Sequence, residues 1–498
     1  LESLQFLMGG FAVALQPTNL MFAVIGCLLG TLLGVLPGIG STAGTAILIP
    51  ITFVLEPTPA IIMLAAIYYG AMYGGTITSV LVNTPGEASA AITCIEGYQM
   101  AKRGRAGAAL CIAAIGSFIG GTVATMGLVL VALPLTSLAL KFGPPEFFAL
   151  MVLGLSLVTG LAAKSMTRAL MSALFGLLVS MVGIDPALGA PRFTFGLIEL
   201  LDGINFVPVV MGIFGVSEIL LNAESEARLV FDAKMSSLMP TFQDLKDSAL
   251  PIARGTLIGF FLGLIPGVGA VVPTFMSYAV EKKVSKHPEK FGSGVIQGVA
   301  GPETANNAYG NAALIPLFTL GIPGSPTIAI LMGAFMMNGL TPGPTLFKEH
   351  GDFVWAVIAS LYIGNLILVI LNLPLIPMWV AILKVPYAVL FGLILGFCVL
   401  GSYSLNNRLF DVGVMTAFGI LGYLFKKLDI PLAPMVLTLI LGPLMERGLR
   451  ESLTISRGDF SIFFQRPIAL GLLALASLIV LISTFQAVSQ LRGGDSEL

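Results

Sequence analysis

Apolar residues along this chain fall into long runs separated by short polar joints, not into the alternation of a half-buried strand. In the first half the runs cover 19–36, 42–54, 58–82, 106–134, 146–162, 165–184 and 203–221. In the second they cover 250–280, 297–320, 325–339, 352–382, 385–404, 409–425, 431–446 and 466–488. A helix needs about 20 apolar residues to cross a bilayer. Several runs are too short to cross alone or carry Pro-Gly in the middle. The pattern therefore predicts an all-α integral membrane protein of about 12 transmembrane helices, with re-entrant or discontinuous helices among them. Residues 1–16 predict an interfacial helix with Leu4, Leu7, Met8 and Phe11 along one face.

The runs repeat. Gly26, Gly30 and Gly34, followed by Pro37-Gly38-Ile39-Gly40, return as Gly255, Gly259 and Gly263 followed by Pro266-Gly267-Val268-Gly269. A second pair follows in the same order, Asn83-Thr84-Pro85-Gly86-Glu87 and Gly321-Ile322-Pro323-Gly324-Ser325. Weaker echoes link Phe175-Gly176 to Phe418-Gly419, and Pro208 with Glu218 to Pro434 with Glu446. Basic residues orient the copies. In the first half they follow the second motif (Lys102, Arg103, Arg105); in the second they follow the first (Lys282, Lys283, Lys286). Short Lys/Arg-rich loops stay in the cytoplasm, so equivalent loops lie on opposite sides, as in inverted-topology repeats of secondary transporters. The expected units are a first repeat over 1–221 with its N-terminal interfacial helix, a polar connector over 222–249, a second repeat over 250–460, and an extra C-terminal helix and tail over 461–498.

Composition sharpens this by exclusion. Of the 498 residues 56% are apolar and only 10% charged, with a mean hydropathy of +0.97, too little polar surface for a water-soluble globule. With 25 Lys+Arg against 26 Asp+Glu there is no basic excess for nucleic acid. The two histidines and four scattered cysteines show no metal-ligand spacing, no phosphate-binding G-x-x-x-x-G-K-[ST] loop is present, and no stretch resembles a cleavable signal peptide. No nucleophile–base pair stands out, so the expectation is a protein that is not an enzyme.

The candidate chemistry sits at the Pro-Gly motifs. Proline removes a backbone donor and glycine permits unusual torsions, so these helices either kink or open. Backbone freed inside a membrane is tolerated only when it is buried in protein or faces a wet cavity. Opened helix ends aim N–H groups at that cavity and favour an anion. The candidate substrate positions are therefore Pro37, Gly38, Gly40, Ser41, Thr42, Asn83, Thr84, Pro85, Gly86, Pro266, Gly267, Gly269, Pro323, Gly324 and Ser325. Nearby hydroxyls (Thr45, Thr76, Thr78, Ser89, Thr327) either join them or bond the preceding turn. Glu303, Asn306, Asn307 and Asn311, spaced i, i+3, i+4 and i+8, form one stripe of a helix. They are either a solvated helix start or oxygen ligands for a coupling cation, and Glu87 at the first-half motif is a similar candidate.

Beyond these motifs, Tyr69-Gly70-Ala71-Met72-Tyr73-Gly74-Gly75, Gly97-Tyr98-Gln99-Met100-Ala101-Lys102 and Gly301-Pro302-Glu303-Thr304-Ala305-Asn306-Asn307-Ala308 complete a set that resembles, over essentially the whole chain, the large membrane (permease) subunit of the tripartite tricarboxylate transporters. The resemblance implies a multi-pass permease of the bacterial inner membrane. Its partners would be a small membrane subunit and a periplasmic solute-binding protein. It would import tricarboxylates or other organic carboxylates on an ion gradient, by elevator-type alternating access. No organic cofactor is implied; Na⁺, held at the acidic and amide positions above, or H⁺ would be the coupling ion. Members often carry Leu where this chain has Thr84, which leaves the carboxylate open. A channel-like anion pore or a carrier for a different small organic anion is the alternative.

Overall fold

The computed structural model describes residues 2–36, 39–161, 165–185, 188–224, 239–375, 378–379 and 387–493. Among them regular structure is helical apart from one short antiparallel pairing, β1 (Gly183–Ile184) with β2 (Pro191–Arg192). Seven helices are long and apolar enough to cross a membrane, and several shorter apolar helices lie between them. The chain is an all-α membrane protein.

The first half opens with α1 (Glu2–Ala14), α2 (Pro17–Val35) and α3 (Gly40–Leu48), the last continuing as a 3₁₀ turn to Val54. It proceeds through α4 (Pro57–Val82), α5 (Thr93–Lys102), α6 (Ala106–Ala139), α7 (Pro144–Leu161) and α8 (Met166–Ser180). The stretch Phe206–Glu224 is α9 (Phe206–Val210), a π-helical turn and α10 (Ser217–Glu224). Next come α11 (Phe242–Gly263), α12 (Val271–Val284), α13 (Gln297–Ala312), α14 (Leu314–Leu320), α15 (Pro326–Met337), α16 (Pro344–Glu349) and α17 (Gly351–Asn372). Helices Tyr387–Asn406, Leu409–Lys427, Ala433–Ile455, Ile462–Gln465 and Pro467–Gly493 complete the chain.

The glycine ridges explain the closest packing. A Cβ at Gly26, Gly30 or Gly34 of α2 would sit 2.5, 2.4 or 2.2 Å from the carbonyl oxygens of Met63, Ile67 and Ala71 on α4. Only side-chain-free positions allow backbones so near, and in lipid that contact is the main adhesion between helices. Gly255 and Gly259 of α11 press in the same way on the carbonyls of Gly301 and Ala305 of α13, at 2.4 and 2.3 Å. Both numberings rise together in each pair, so α2 runs parallel to α4 and α11 parallel to α13. By contrast, Thr76 meets Glu303 while Met72 meets Gly310, so α4 and α13 pass each other in opposite directions.

Helices of the two halves also touch closely: a Cβ at Gly176 of α8 would sit 2.2 Å from the Met435 carbonyl of helix Ala433–Ile455, and one at Gly212 would sit 2.2 Å from the Met415 carbonyl of helix Leu409–Lys427. The basic loops lie together on one face: Arg105 bonds Asp244 at 2.6 Å, and Glu96 accepts N–H groups from Gly292, Gly294 and Val295. α1 runs along α17, with Gly10 against the Trp355 carbonyl and Phe6 stacked on Trp355. Of its four expected face residues, Leu7 is buried, Phe11 contacts Tyr362, and Leu4 and Met8 are exposed. The connector's residues 225–238 lie outside the described residues.

Candidate functional site

Both breaks after the central helices are built alike. α4 ends at Asn83 with φ 56°, and α14 ends at Gly321 with φ 71°. Each is a left-handed cap that turns the chain out of the helix. The Pro-Gly pairs Pro85-Gly86 and Pro323-Gly324 follow directly. Gly86 lies against the Gly34 carbonyl, where a Cβ would sit 2.1 Å away. Gly324 offers its carbonyl to two donors, the Gly267 N–H at 3.1 Å and the buried Tyr309 hydroxyl at 2.8 Å. Gly267 and Gly269 both have positive φ, as does Gly40 at the start of α3, so glycine is required at these turns. Pro266 is half-buried in the same turn. Pro37 and Gly38 lie outside the described residues.

Hydroxyls from both halves converge beside the first break. Ser41 Oγ donates to Glu87 Oε1 at 2.5 Å and lies 3.2 Å from Thr327 Oγ1. Thr42 and Thr327 hydroxyls are 2.8 Å apart. The second oxygen of Glu87 and the hydroxyl of Ser89 are buried without a hydrogen-bond partner. The other hydroxyls serve locally: Thr45 bonds the Ser41 carbonyl, Thr78 the Gly75 carbonyl and Thr84 the Val82 carbonyl, while Ser325 caps α15 by accepting the Ile328 N–H.

The polar stripe of α13 is buried, not solvated: Glu303, Asn306, Asn307 and Asn311 are each 3% exposed or less. Glu303 Oε2 accepts from Thr76 of α4 at 2.5 Å, and Oε1 accepts from Thr93 of α5. Asn307 Nδ2 donates to Ser117 of α6 at 2.7 Å. Asn311 lies against Gly121 of α6, next to Asn365 of α17. Asn306 has neither amide atom hydrogen-bonded. The stripe is thus divided, Glu303 toward α4 and Asn307 and Asn311 toward α6, because α13 is wedged between those helices. Among the described residues no His, Cys, Asp and Glu are gathered in threes as a metal cluster would need.

Residues 20–437 match the tripartite tricarboxylate transporter TctA family. The chain belongs to that family. A 52.8 kDa uncharacterized protein of the TAR-I ttuC' 3' region of Agrobacterium vitis is 50% identical over 97% of this chain and 96% of its own. A second protein from that organism, in the TAR-II ttuC' 3' region, is 47% identical over 47% of this chain and 97% of its own. No solved structure is recognisably similar.

In this TctA-family chain several polar contacts had no signature in the sequence. Thr93, Ser117 and Tyr309 hold the site together, yet each is one hydroxyl in an apolar or small-residue context. Arg254 likewise had no role assigned. It lies inside α11, not in a loop, and its Nε donates to Glu281 at 2.7 Å because the chain folds back through the break and brings α12 alongside. A pairing at 27 residues' separation leaves no local pattern to read.

Proposed function

We propose that this transport protein is the permease subunit of a binding-protein-dependent secondary transporter. It imports tricarboxylates or other organic carboxylates across the bacterial inner membrane, driven by a Na⁺ or H⁺ gradient. The observation that carries the reading is the meeting of Ser41, Thr42 and Glu87 of the first half with Thr327 of the second, beside paired helix breaks. Backbone dipoles and hydroxyls there suit carboxylates, and the buried carboxylate of Glu303 suits a coupling ion. Parallel ridge pairs, opposed central helices and outer helices packed across the halves support two inverted repeats, over 1–221 and 250–460, within a fold of about 12 crossings. The face carrying Arg105 and Lys282 is then cytoplasmic.

Two related hairpin tips in unlike engagements support alternating access of the elevator kind. The first tip bonds across to Thr327, whereas among the described residues the second bonds within its own half, from the Gly267 N–H to the Gly324 carbonyl. The partners are a small membrane subunit and a periplasmic solute-binding protein. Uptake of a labelled carboxylate into liposomes, with the binding protein supplied and either gradient imposed, tests this. Accumulation should follow one gradient. Uptake indifferent to both, or conduction without the binding protein, would sink the proposal in favour of a pore.

A further inference from the structure

A small cavity lies behind Glu303, between α4, α6 and the end of α17, lined by Tyr73, Thr76, Ser117 and Asn372 among apolar neighbours. Tyr73 and Asn372 are 4% and 5% exposed, and the Tyr73 hydroxyl and Asn372 Oδ1 have no hydrogen-bond partner. Two buried polar atoms left unpaired on one cavity is a costly arrangement unless something occupies it. The donors around it are already committed. Thr76 Oγ donates to Glu303 Oε2, Ser117 Oγ to the Glu303 carbonyl and Asn372 Nδ2 to the Leu368 carbonyl. What these groups have left to offer is chiefly oxygen lone pairs, with free protons only on the Tyr73 hydroxyl and the second N–H of the Asn372 amide.

An electron-rich cage of oxygens suits a hard cation and repels an anion. Glu303 supplies charge next door. Thr76 bridges it to the cavity, and its side-chain partners are the hydroxyls of Thr76 and Thr93, with no basic group among them. A buried carboxylate without a basic partner needs a cation or a proton.

We propose that Tyr73, Thr76, Ser117 and Asn372 form a site for one monovalent cation of sodium's size, charge-balanced by Glu303. The inference rests on the ion-coupled reading above and names where the ion sits. Binding draws α4, α6, α13 and α17 together, so occupancy would stabilise their packing.

The test is thermal unfolding of the full-length protein in NaCl, with choline chloride at equal ionic strength as the reference, beside carboxylate uptake in liposomes. Sodium should raise the melting temperature of the wild type. Tyr73→Phe and Asn372→Leu each remove one ligand and also one unpaired polar atom, so both variants should fold. Each should weaken the sodium response about tenfold, the scale of one lost polar interaction. A sodium shift unchanged in both variants would overturn the site. So would no sodium shift in a wild type that still takes up carboxylate, which would mean that the cavity holds only water. Because binding is measured without transport, failure of this site and failure of the transport reading are separable.

Discussion

Thr42 and Thr327 are 285 residues apart, yet their hydroxyls meet at 2.8 Å, joining the tip of the first helix pair to the helix that follows the second break. If this clasp is part of the carboxylate site, Thr42→Val and Thr327→Val should each lower initial uptake about tenfold, while the double variant is little worse than either single one, because both remove the same contact. Initial rates normalised to protein amount decide it; strictly multiplicative losses would mean that the two hydroxyls act separately.

Glu303 anchors Thr76 and Thr93 as well as offering charge. Glu303→Gln keeps an acceptor oxygen and should fold, but its uptake should lose all response to the driving gradient. Glu303→Ala also strands two buried hydroxyls and should lose about 1–3 kcal/mol of stability for each. A Gln variant that still follows the gradient would remove Glu303 from coupling.

Close helix approach can be checked with paired glycine variants. A side chain at Gly30 would meet Ile67 backbone, whereas nothing lies within 4 Å of a Cβ at Gly9. Gly30→Val should abolish accumulation of folded protein in the membrane. Gly9→Ala should change stability by no more than about 0.5 kcal/mol. Fluorescence size-exclusion profiles of tagged protein distinguish the two.

The left-handed cap at Asn83 gives a conformational test. Asn83→Gly should be neutral or slightly stabilising, and Asn83→Ala should cost about 1 kcal/mol, since alanine resists φ near 56°. Gly321→Ala should be worse, because its Cβ would also meet the Pro342 carbonyl at 2.7 Å. Melting temperatures in detergent rank the three.

Arg105 and Asp244 tie the start of α6 to the start of α11 on the basic face. Burial pushes the Asp244 carboxyl up, but hydrogen bonds from Arg105 and Thr241 outweigh it and hold the group below its ordinary value. A depressed carboxyl contributes stability above the unfolded value, about 3.9, and loses it as pH falls through the folded value. Arg105→Met should therefore be less stable than wild type at neutral pH, with the gap closing below about pH 4. Melts across pH 3–7 show it; a gap independent of pH would place the effect elsewhere.

Sequence alone was enough for the membrane class, the glycine ridges and the positions of the breaks. Each follows from local chemistry: apolar length, four-residue glycine spacing, and the inability of Pro-Gly to continue a helix. The same local reasoning found Glu303 and the asparagines on one helix but could not divide them between α4 and α6, because that depends on which helices pack on either side. It found Ser41, Thr42 and Thr327 as separate hydroxyls without their meeting. It passed over Ser117, Asn372 and Arg254, and met Tyr73 only inside a family motif. Periodicity reports which face of a helix a residue occupies. Whether a polar side chain there finds a partner, a cavity or another half of the chain is set by contacts over tens to hundreds of residues, and only the tertiary structure decided it.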